Sequence, residues 1–254
     1  MINSSQSRVS KIENGKLAVS PSELEQLLKA LRVSEDEANQ LRFAYGLTDV
    51  PALNLRAVIA GGVDNRQHQI RKYEEVAVRR QEYANALMPG LLQTERYARA
   101  VMVSLGLDAD AADNAVHARI ARQRILRDPR RSFEFLISEA VLYTMPGDES
   151  TQVEQLNDLI LLIQRIRHLQ IGIVPFERGT AVKAFNGYVI FDSQAVTTET
   201  VVVEQEFTDP HDVRSYLELH LELYARAVFA KDAVDRILRA SRYFERNLEP
   251  GTPP

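Results

Sequence analysis

The chain has 254 residues, of which 45% are hydrophobic and 26% are charged, and it contains no cysteine. This length and composition favour one or two folded domains of a cytoplasmic protein, and they exclude a disordered chain, disulfide bonds, thiolate catalysis and cysteine-ligated zinc. A formal net charge of −4 excludes nucleic-acid binding by the whole surface, so any contact with DNA must be local, and the short apolar runs predict no transmembrane span.

Residues 5–14 are predicted to form a short helix. Ser5 can cap its amino end, and Gly15 can end it in a left-handed conformation. The outward face is polar and rich in hydrogen-bond donors: Gln6, Ser7, Ser10 and Lys11, with Arg8 at its margin. Such a face suits a helix that binds a polar surface, and the alternative is a capped surface helix without a partner.

The stretch SRVSKIENGK, residues 7–16, resembles the recognition helix and following turn of the phage-repressor-like (Xre-type) helix-turn-helix regulators. The resemblance implies that this helix lies in the DNA major groove. Carried over by position, it implies base contacts from Gln6, Ser7, Ser10 and Lys11, and contacts near the DNA backbone from Arg8, Asn14 and Lys16. The residue types suit these roles, because glutamine pairs with adenine and lysine with guanine.

Two further helices are predicted after this one. Ser20 and Ser34 are each followed three residues later by a glutamate, which is the pattern of a capping box at a helix start. Apolar residues at helical spacing then predict the buried positions Leu24, Leu27, Leu28, Leu31, Ala38, Leu41, Ala44 and Tyr45. The two helices match the last two of a five-helix repressor-like domain, here truncated to residues 1–48. Because the chain begins four residues before Ser5, we expect the first two helices of that domain to be missing and the recognition helix to require a packing surface from elsewhere.

The run MPGLLQTERYARAVMV, residues 88–103, follows a predicted linker over residues 49–69. It contains a Pro-Gly turn and a predicted helix cap at Thr94. The helix that follows has a predicted buried stripe of Tyr97, Ala98, Val101 and Met102.

Three later motifs accompany this run: RIARQ at 119–123, FLISE at 135–139 and IGIVP at 171–175. Together the motifs resemble a C-terminal domain of uncharacterised function that is found in actinobacterial antitoxin-like regulators behind repressor-like helix-turn-helix domains. The resemblance covers most of residues 70–230. We therefore assign this domain to residues 70–246 and a flexible tail to residues 247–254.

The second half of the chain alternates between helical and strand-like patterns. Helices are predicted over 110–127 and 152–169, and strands over 133–137, 170–176, 188–191 and 196–206. A last helical region begins at Pro210, with a predicted inward stripe of Val213, Tyr216, Leu217, Leu221, Tyr224, Ala227 and Val228. The pattern does not separate helix from strand over 76–83. The sequence thus predicts an α+β protein: a truncated all-α repressor-like remnant, then a mixed α/β domain with a small sheet.

Glu139 stands at the end of a predicted apolar strand, where a carboxylate needs a partner. Arg119 or Arg122 can supply it, forming either a ligand-sensing group in a pocket or a structural ion pair, and the structural role is favoured. The five histidines lack the spacing of zinc hydrolases, and no nucleophile elbow, Walker loop or dinucleotide fingerprint is present. We therefore predict no catalytic residue, no metal and no cofactor.

Three functions are compatible with these patterns. The leading hypothesis is an antitoxin-like transcriptional regulator that binds operator DNA as a homodimer, and a small toxin-like protein partner or an effector through its C-terminal domain. The second is a protein-interaction module that has lost DNA binding. The third is a C-terminal domain recruited to bind a small molecule or to act as an enzyme. The first leads because two family signatures occur in the order in which the regulators carry them.

Overall fold

The computed structural model of the protein describes residues 21–34, 37–38, 41–42, 73–74, 76–178, 184–199 and 204–248. The chain divides into two compact units, Met1–Leu53 and Asn54–Pro254. Within the described ranges, no helix is both long enough and apolar enough to cross a membrane.

In the first unit, helix α1 (Pro21–Leu31) packs on the segment that follows it. Leu24 and Leu28 of α1 are buried in one cluster with Ala38, as their spacing predicts. The predicted capping box at Ser34 is confirmed: the Glu37 N–H donates to its hydroxyl at 3.3 Å, and its own N–H donates to the Glu37 carboxylate at 3.0 Å.

Part of the predicted core of the first unit is wrong. Leu31 and Leu41 are exposed, because both lie beyond the small cluster around Leu24, and Leu27 is half-buried. The predicted core positions Ala44 and Tyr45 lie outside the described residues.

The second unit combines helices with a mixed sheet. Its helices are α2 (Glu95–Ser104), α3 (Ala109–Arg122), α4 (Glu149–Arg165), α5 (Pro210–Arg226) and α6 (Ala230–Leu248). Its strands are β1 (Arg79–Ala84), β2 (Ser132–Ser138), β3 (Leu169–Val174), β4 (Tyr188–Phe191), β5 (Ala195–Glu199) and β6 (Glu204–Phe207). Short 3-10 helices cover Gly90–Leu92, Gln123–Arg127, Glu139–Tyr143 and Phe176–Arg178. These elements confirm the predicted α+β class.

The strands are ordered β3-β2-β1-β4-β5-β6 across the sheet. β1, β2 and β3 run parallel to one another. On the other side of β1, β4 pairs antiparallel with β1, β5 with β4, and β6 with β5. The carboxyl ends of the three parallel strands therefore meet at one edge. Glu139 after β2 and the 3-10 helix after β3 lie at that edge.

The two faces of the sheet are covered by different helices. On the first face, to which Arg80 and Glu82 of β1 belong, Phe133 and Phe135 pack in a core with α4 and α6. On the second face, to which Tyr83 belongs, residues of β2, β4 and β5 pack against α5. Because side chains alternate along β1, the charged residues Arg80 and Glu82 lie on one face and Tyr83 lies on the other.

A local start signal placed α2 correctly, whereas the cap of α4 was not predicted. Thr94 caps α2, since its side chain accepts the Tyr97 N–H, and the predicted stripe of α2 is fully buried. α4 begins earlier than predicted, at Glu149, because the Asp148 side chain accepts the Thr151 N–H and caps it.

The predicted stripe of α5 is partly wrong. Leu221 is 65% exposed, whereas His220 is fully buried. α5 ends at Arg226, and Val228 instead joins the sheet through a two-way backbone pair with Ile173, at 2.9 and 2.8 Å. His220 points inward, where its ring bonds the half-buried carboxylate of Glu134, as described below.

Candidate functional site

The residues predicted to contact DNA lie outside the described residues: Gln6, Ser7, Arg8, Ser10, Lys11, Asn14 and Lys16. Their roles stay predictions. The described candidate groups all belong to the second unit.

Glu139 forms its ion pair with Arg236 of α6, so the predicted partners Arg119 and Arg122 are wrong. Arg236 Nη1 donates to both carboxylate oxygens of Glu139, at 2.8 and 2.9 Å, and the Phe176 N–H donates to one of them at 3.1 Å. Arg236 also bonds Glu177. The carboxylate turns toward α6 because β2 ends at the edge that this helix covers.

The surroundings of Glu139 favour a structural role. Its side chain is 7% exposed, and its hydrogen bonds join the ends of β2 and β3 to α6. Hydrogen bonds from Glu177 and Glu139 raise the pKa of Arg236, although burial opposes the shift. The ion pair therefore holds two strand ends and a helix together.

Arg119 and Arg122 belong to a second group, the arginine–glutamate cluster, whose members are Glu74, Arg80, Glu82, Arg119, Arg122 and Glu199. Arg80 is its buried centre: Nη1 donates to Glu74 at 2.7 Å and Nη2 donates to Glu82 at 2.8 Å. Arg80 and Glu82 point to the same face because they are two apart on β1. The paired carboxylates make burial of the guanidinium tolerable.

α3 brings its two arginines to this cluster. Arg122 Nε lies 3.4 Å from a Glu74 oxygen. Arg119 Nη1 donates to the side-chain carbonyl of Gln93 at 2.7 Å, and Gln93 donates to the Met88 carbonyl at 2.7 Å. Two of the recognised motifs, residues 88–103 and 119–123, therefore pack directly on each other.

Gly90 lies beneath both arginines. A Cβ built on Gly90 would come within 3.4 Å of Arg122 Nη2 and 3.7 Å of Arg119 Nε. The Gln123 side chain donates to the Gly90 carbonyl at 3.2 Å and to the Gln93 carbonyl at 2.7 Å. The Gln123 side chain thus joins the segment around Gly90 to the carboxyl end of α3.

The cluster contains three arginines and three glutamates, which differ in how directly they are paired. Burial lowers the pKa of Arg119 to about 10, helped by the charge of Arg122 and opposed by Glu199 and Glu82. Desolvation raises the pKa of Glu199 and the charge of Arg119 opposes that shift, although Glu199 is exposed at the end of β5. Arg119 therefore meets Glu199 only as a nearby charge, and its direct partner is Gln93.

A third polar group lies on the second face. His220 Nε2 is 2.7 Å from Glu134 Oε1, and His220 Nδ1 is 3.2 Å from the Tyr188 hydroxyl. Gln81 also donates to Glu134 at 2.9 Å. Burial disfavours ionisation of Glu134, but the hydrogen bonds from His220 and Gln81 outweigh it and lower its pKa. Burial and nearby ionisable groups raise the pKa of Tyr188, so it stays a neutral phenol.

Groups of three histidine, aspartate or glutamate side chains able to hold a metal ion are absent from the part of the chain that the structure describes.

Residues 67–239 match a protein family described as Domain of unknown function (DUF5753), and this match spans more than half of the chain. The chain belongs to the DUF5753 family. Residues 1–37 match a second family, described as Helix-turn-helix. The two matches confirm both resemblances in the predicted order, and the helix-turn-helix match supports a DNA-binding regulator.

Comparisons with other proteins add no function to the DUF5753 assignment. No curated protein sequence matches the chain significantly. Among solved structures, Nuc from Salmonella typhimurium, a phospholipase D family member, covers 65% of this chain and 90% of its own at 10% identity and a TM-score of 0.34. The archaeal chromatin protein TrmBL2 covers 89% and 71% at 12% identity and a TM-score of 0.28. TM-scores this low do not establish a shared fold.

The partners that complete these groups lie far apart in the sequence. Arg236 lies 97 residues from Glu139, and no local pattern joins them. His220 was detectable, because it continues the helical spacing of Val213, Tyr216 and Leu217. In this DUF5753 protein the polar groups are assembled from distant segments, so spacing reveals the members of a group and not their pairing.

Proposed function

We propose that this protein is a transcriptional regulator of the antitoxin-like type, which binds operator DNA as a homodimer through the helix at residues 5–14. Its C-terminal domain binds a small toxin-like protein partner or an effector. The observation that carries the proposal is the order of the two family matches, with residues 1–37 ahead of residues 67–239.

The charge of the amino-terminal segment supports operator binding. Residues 1–20 carry three basic side chains, Arg8, Lys11 and Lys16, against one acid, Glu13, in a chain of net charge −4. A local excess of positive charge is what a helix needs in order to approach phosphate, and Gln6 and Lys11 suit base edges.

The test is an operator-binding assay on the full chain, with duplex DNA from upstream of its own gene and a scrambled duplex for comparison. We expect Lys11→Ala to weaken operator binding by about 1–3 kcal/mol and to reduce the preference over scrambled DNA, because a base contact is lost. Lys29→Ala is the matched control, since this exposed lysine of α1 removes the same charge without a predicted base contact.

The outcome also separates the alternatives. A chain that shows no preference for any upstream duplex overturns the operator claim. If that chain still forms a stable complex with the small protein encoded beside it, it acts as an interaction module without DNA recognition. If it binds neither, the regulator proposal fails as a whole.

A further inference from the structure

α6 carries a row of arginines on its exposed side, which we call the arginine stripe: Arg239, Arg242 and Arg246. Spacings of three and four residues place them on one face of the helix. At 1.5 Å per residue the stripe is roughly 10 Å long. All three residues are exposed.

The stripe differs from the other arginine of the same helix. Arg236, just before it, is held by Glu139 and Glu177. The stripe arginines form no ion pair with a carboxylate among the residues that the structure describes. Arg246 Nε donates to the Arg242 carbonyl at 3.2 Å, and this bond leaves its two terminal nitrogens available. Three guanidinium groups thus face water in a protein of net charge −4.

A shallow surface depression of about 390 Å³ runs along the stripe. It is lined by Asp235, Leu238, Arg239, Arg242 and Arg246. Three positive groups stand against a single carboxylate, so the lining attracts anions. Leu238 is the one apolar residue of this lining, and three guanidinium groups dominate it. Guanidinium donors match phosphate oxygens in charge and geometry, so the lining fits a phosphate-rich surface.

We propose that the arginine stripe of α6 binds the phosphate backbone of duplex DNA, as a second contact in addition to the amino-terminal helix. The inference rests on the proposed function, since it assigns an additional contact to the same ligand. Arginine suits this role, because its planar guanidinium donates two parallel hydrogen bonds to one phosphate. Such contacts add affinity and orientation but carry no sequence information.

The experiment compares the full chain with the triple variant Arg239→Ala/Arg242→Ala/Arg246→Ala. Affinity for a short duplex of random sequence is measured by fluorescence anisotropy between about 50 and 200 mM salt. Loss of three phosphate contacts should reduce the slope of log affinity against log salt by about 2.7. Taken from equal affinity at about 1 M salt, the same change corresponds to affinity about 500-fold lower at about 0.1 M salt.

The matched control is Arg124→Ala/Arg167→Ala/Arg214→Ala, which removes the same charge from exposed positions scattered over the second unit. We expect this control to keep nearly the wild-type slope. Equal losses in the two triple variants would mean that net charge is responsible, and they would overturn the proposal, as would an unchanged slope in the stripe variant. Circular dichroism verifies that both variants fold.

The two proposals can fail separately. Stripe-dependent binding of random duplex without preference for an operator supports the stripe and overturns the operator claim. Operator preference with an unchanged salt slope in the stripe variant supports the operator claim and overturns the stripe.

Discussion

A buried carboxylate is stable only with its partner, and Glu139 provides a direct test at the residue scale. The Glu139 and Arg236 side chains are 7% and 15% exposed. We expect Arg236→Ala to lower the free energy of unfolding by about 3 kcal/mol, because it leaves a buried charge unpaired. The measurement is urea-induced unfolding. The control is the double variant Glu139→Gln/Arg236→Ala, which should lose less than the single variants Glu139→Gln and Arg236→Ala combined; strictly additive losses contradict the pairing.

Glu134 predicts how stability changes with pH. Its pKa is below the ordinary value of 4.5 in the folded protein. The unfolded chain therefore binds a proton more readily, so the stabilisation is present above about pH 4.5 and is lost as pH falls through the lower folded pKa. We expect the stability of Glu134→Gln to fall less steeply than that of the wild type when the pH is lowered from about 4.5.

The readout for Glu134 is the difference between the two unfolding profiles, because other carboxylates such as Asp128 and Glu177 also have lowered pKa values and cancel in that difference. If the unfolding free energies of Glu134→Gln and wild type fall in parallel on the acid side, the hydrogen bonds from His220 and Gln81 do not lower the pKa of Glu134.

At the element scale, β3 approaches the segment after α5 so closely that a side chain is excluded. A Cβ on Gly172 would lie 2.5 Å from Phe229 Cε1 and 3.1 Å from Ala227 Cβ. We expect Gly172→Ala to destabilise the protein by about 2 kcal/mol through overpacking, measured by thermal unfolding. Phe229→Leu in the same chain should recover part of the loss, and the Phe229→Leu single variant is the control. A loss that the second change does not relieve would place the strain elsewhere.

Elements with local start signals were predictable from sequence, and elements whose burial depends on distant partners were not. The Ser34 capping box and the Thr94 cap both form, because their hydrogen bonds span three residues. β1 could not be assigned, since Arg80 and Glu82 read as surface residues although both are buried. Their burial depends on ion pairing within and before the strand and on the cover that α3 provides.

The candidate groups follow the same rule. The sequence predicts that Glu139 needs an arginine, and the structure supplies one, but from α6 and not from the motif nearest in the chain. Arg119 and Arg122, the partners predicted for Glu139, instead lie over Gly90 beside Gln93. Residue chemistry fixes which type of partner a group requires, whereas the topology of the sheet and its covering helices fixes which residue meets that requirement.

At the scale of the whole molecule, the charge distribution decides how a polyanion can approach. The chain is acidic overall, with a net charge of −4, so most of its surface repels DNA. Basic side chains gather in the amino-terminal segment around Lys11, in residues 119–131 and in the arginine stripe of α6. A charge pattern of this kind favours encounters in which the basic segments meet the duplex first. If the proposed function holds, we expect affinity to depend on a few arginine and lysine contacts to phosphate, which salt weakens, and preference for one sequence to depend on base contacts of the proposed recognition helix.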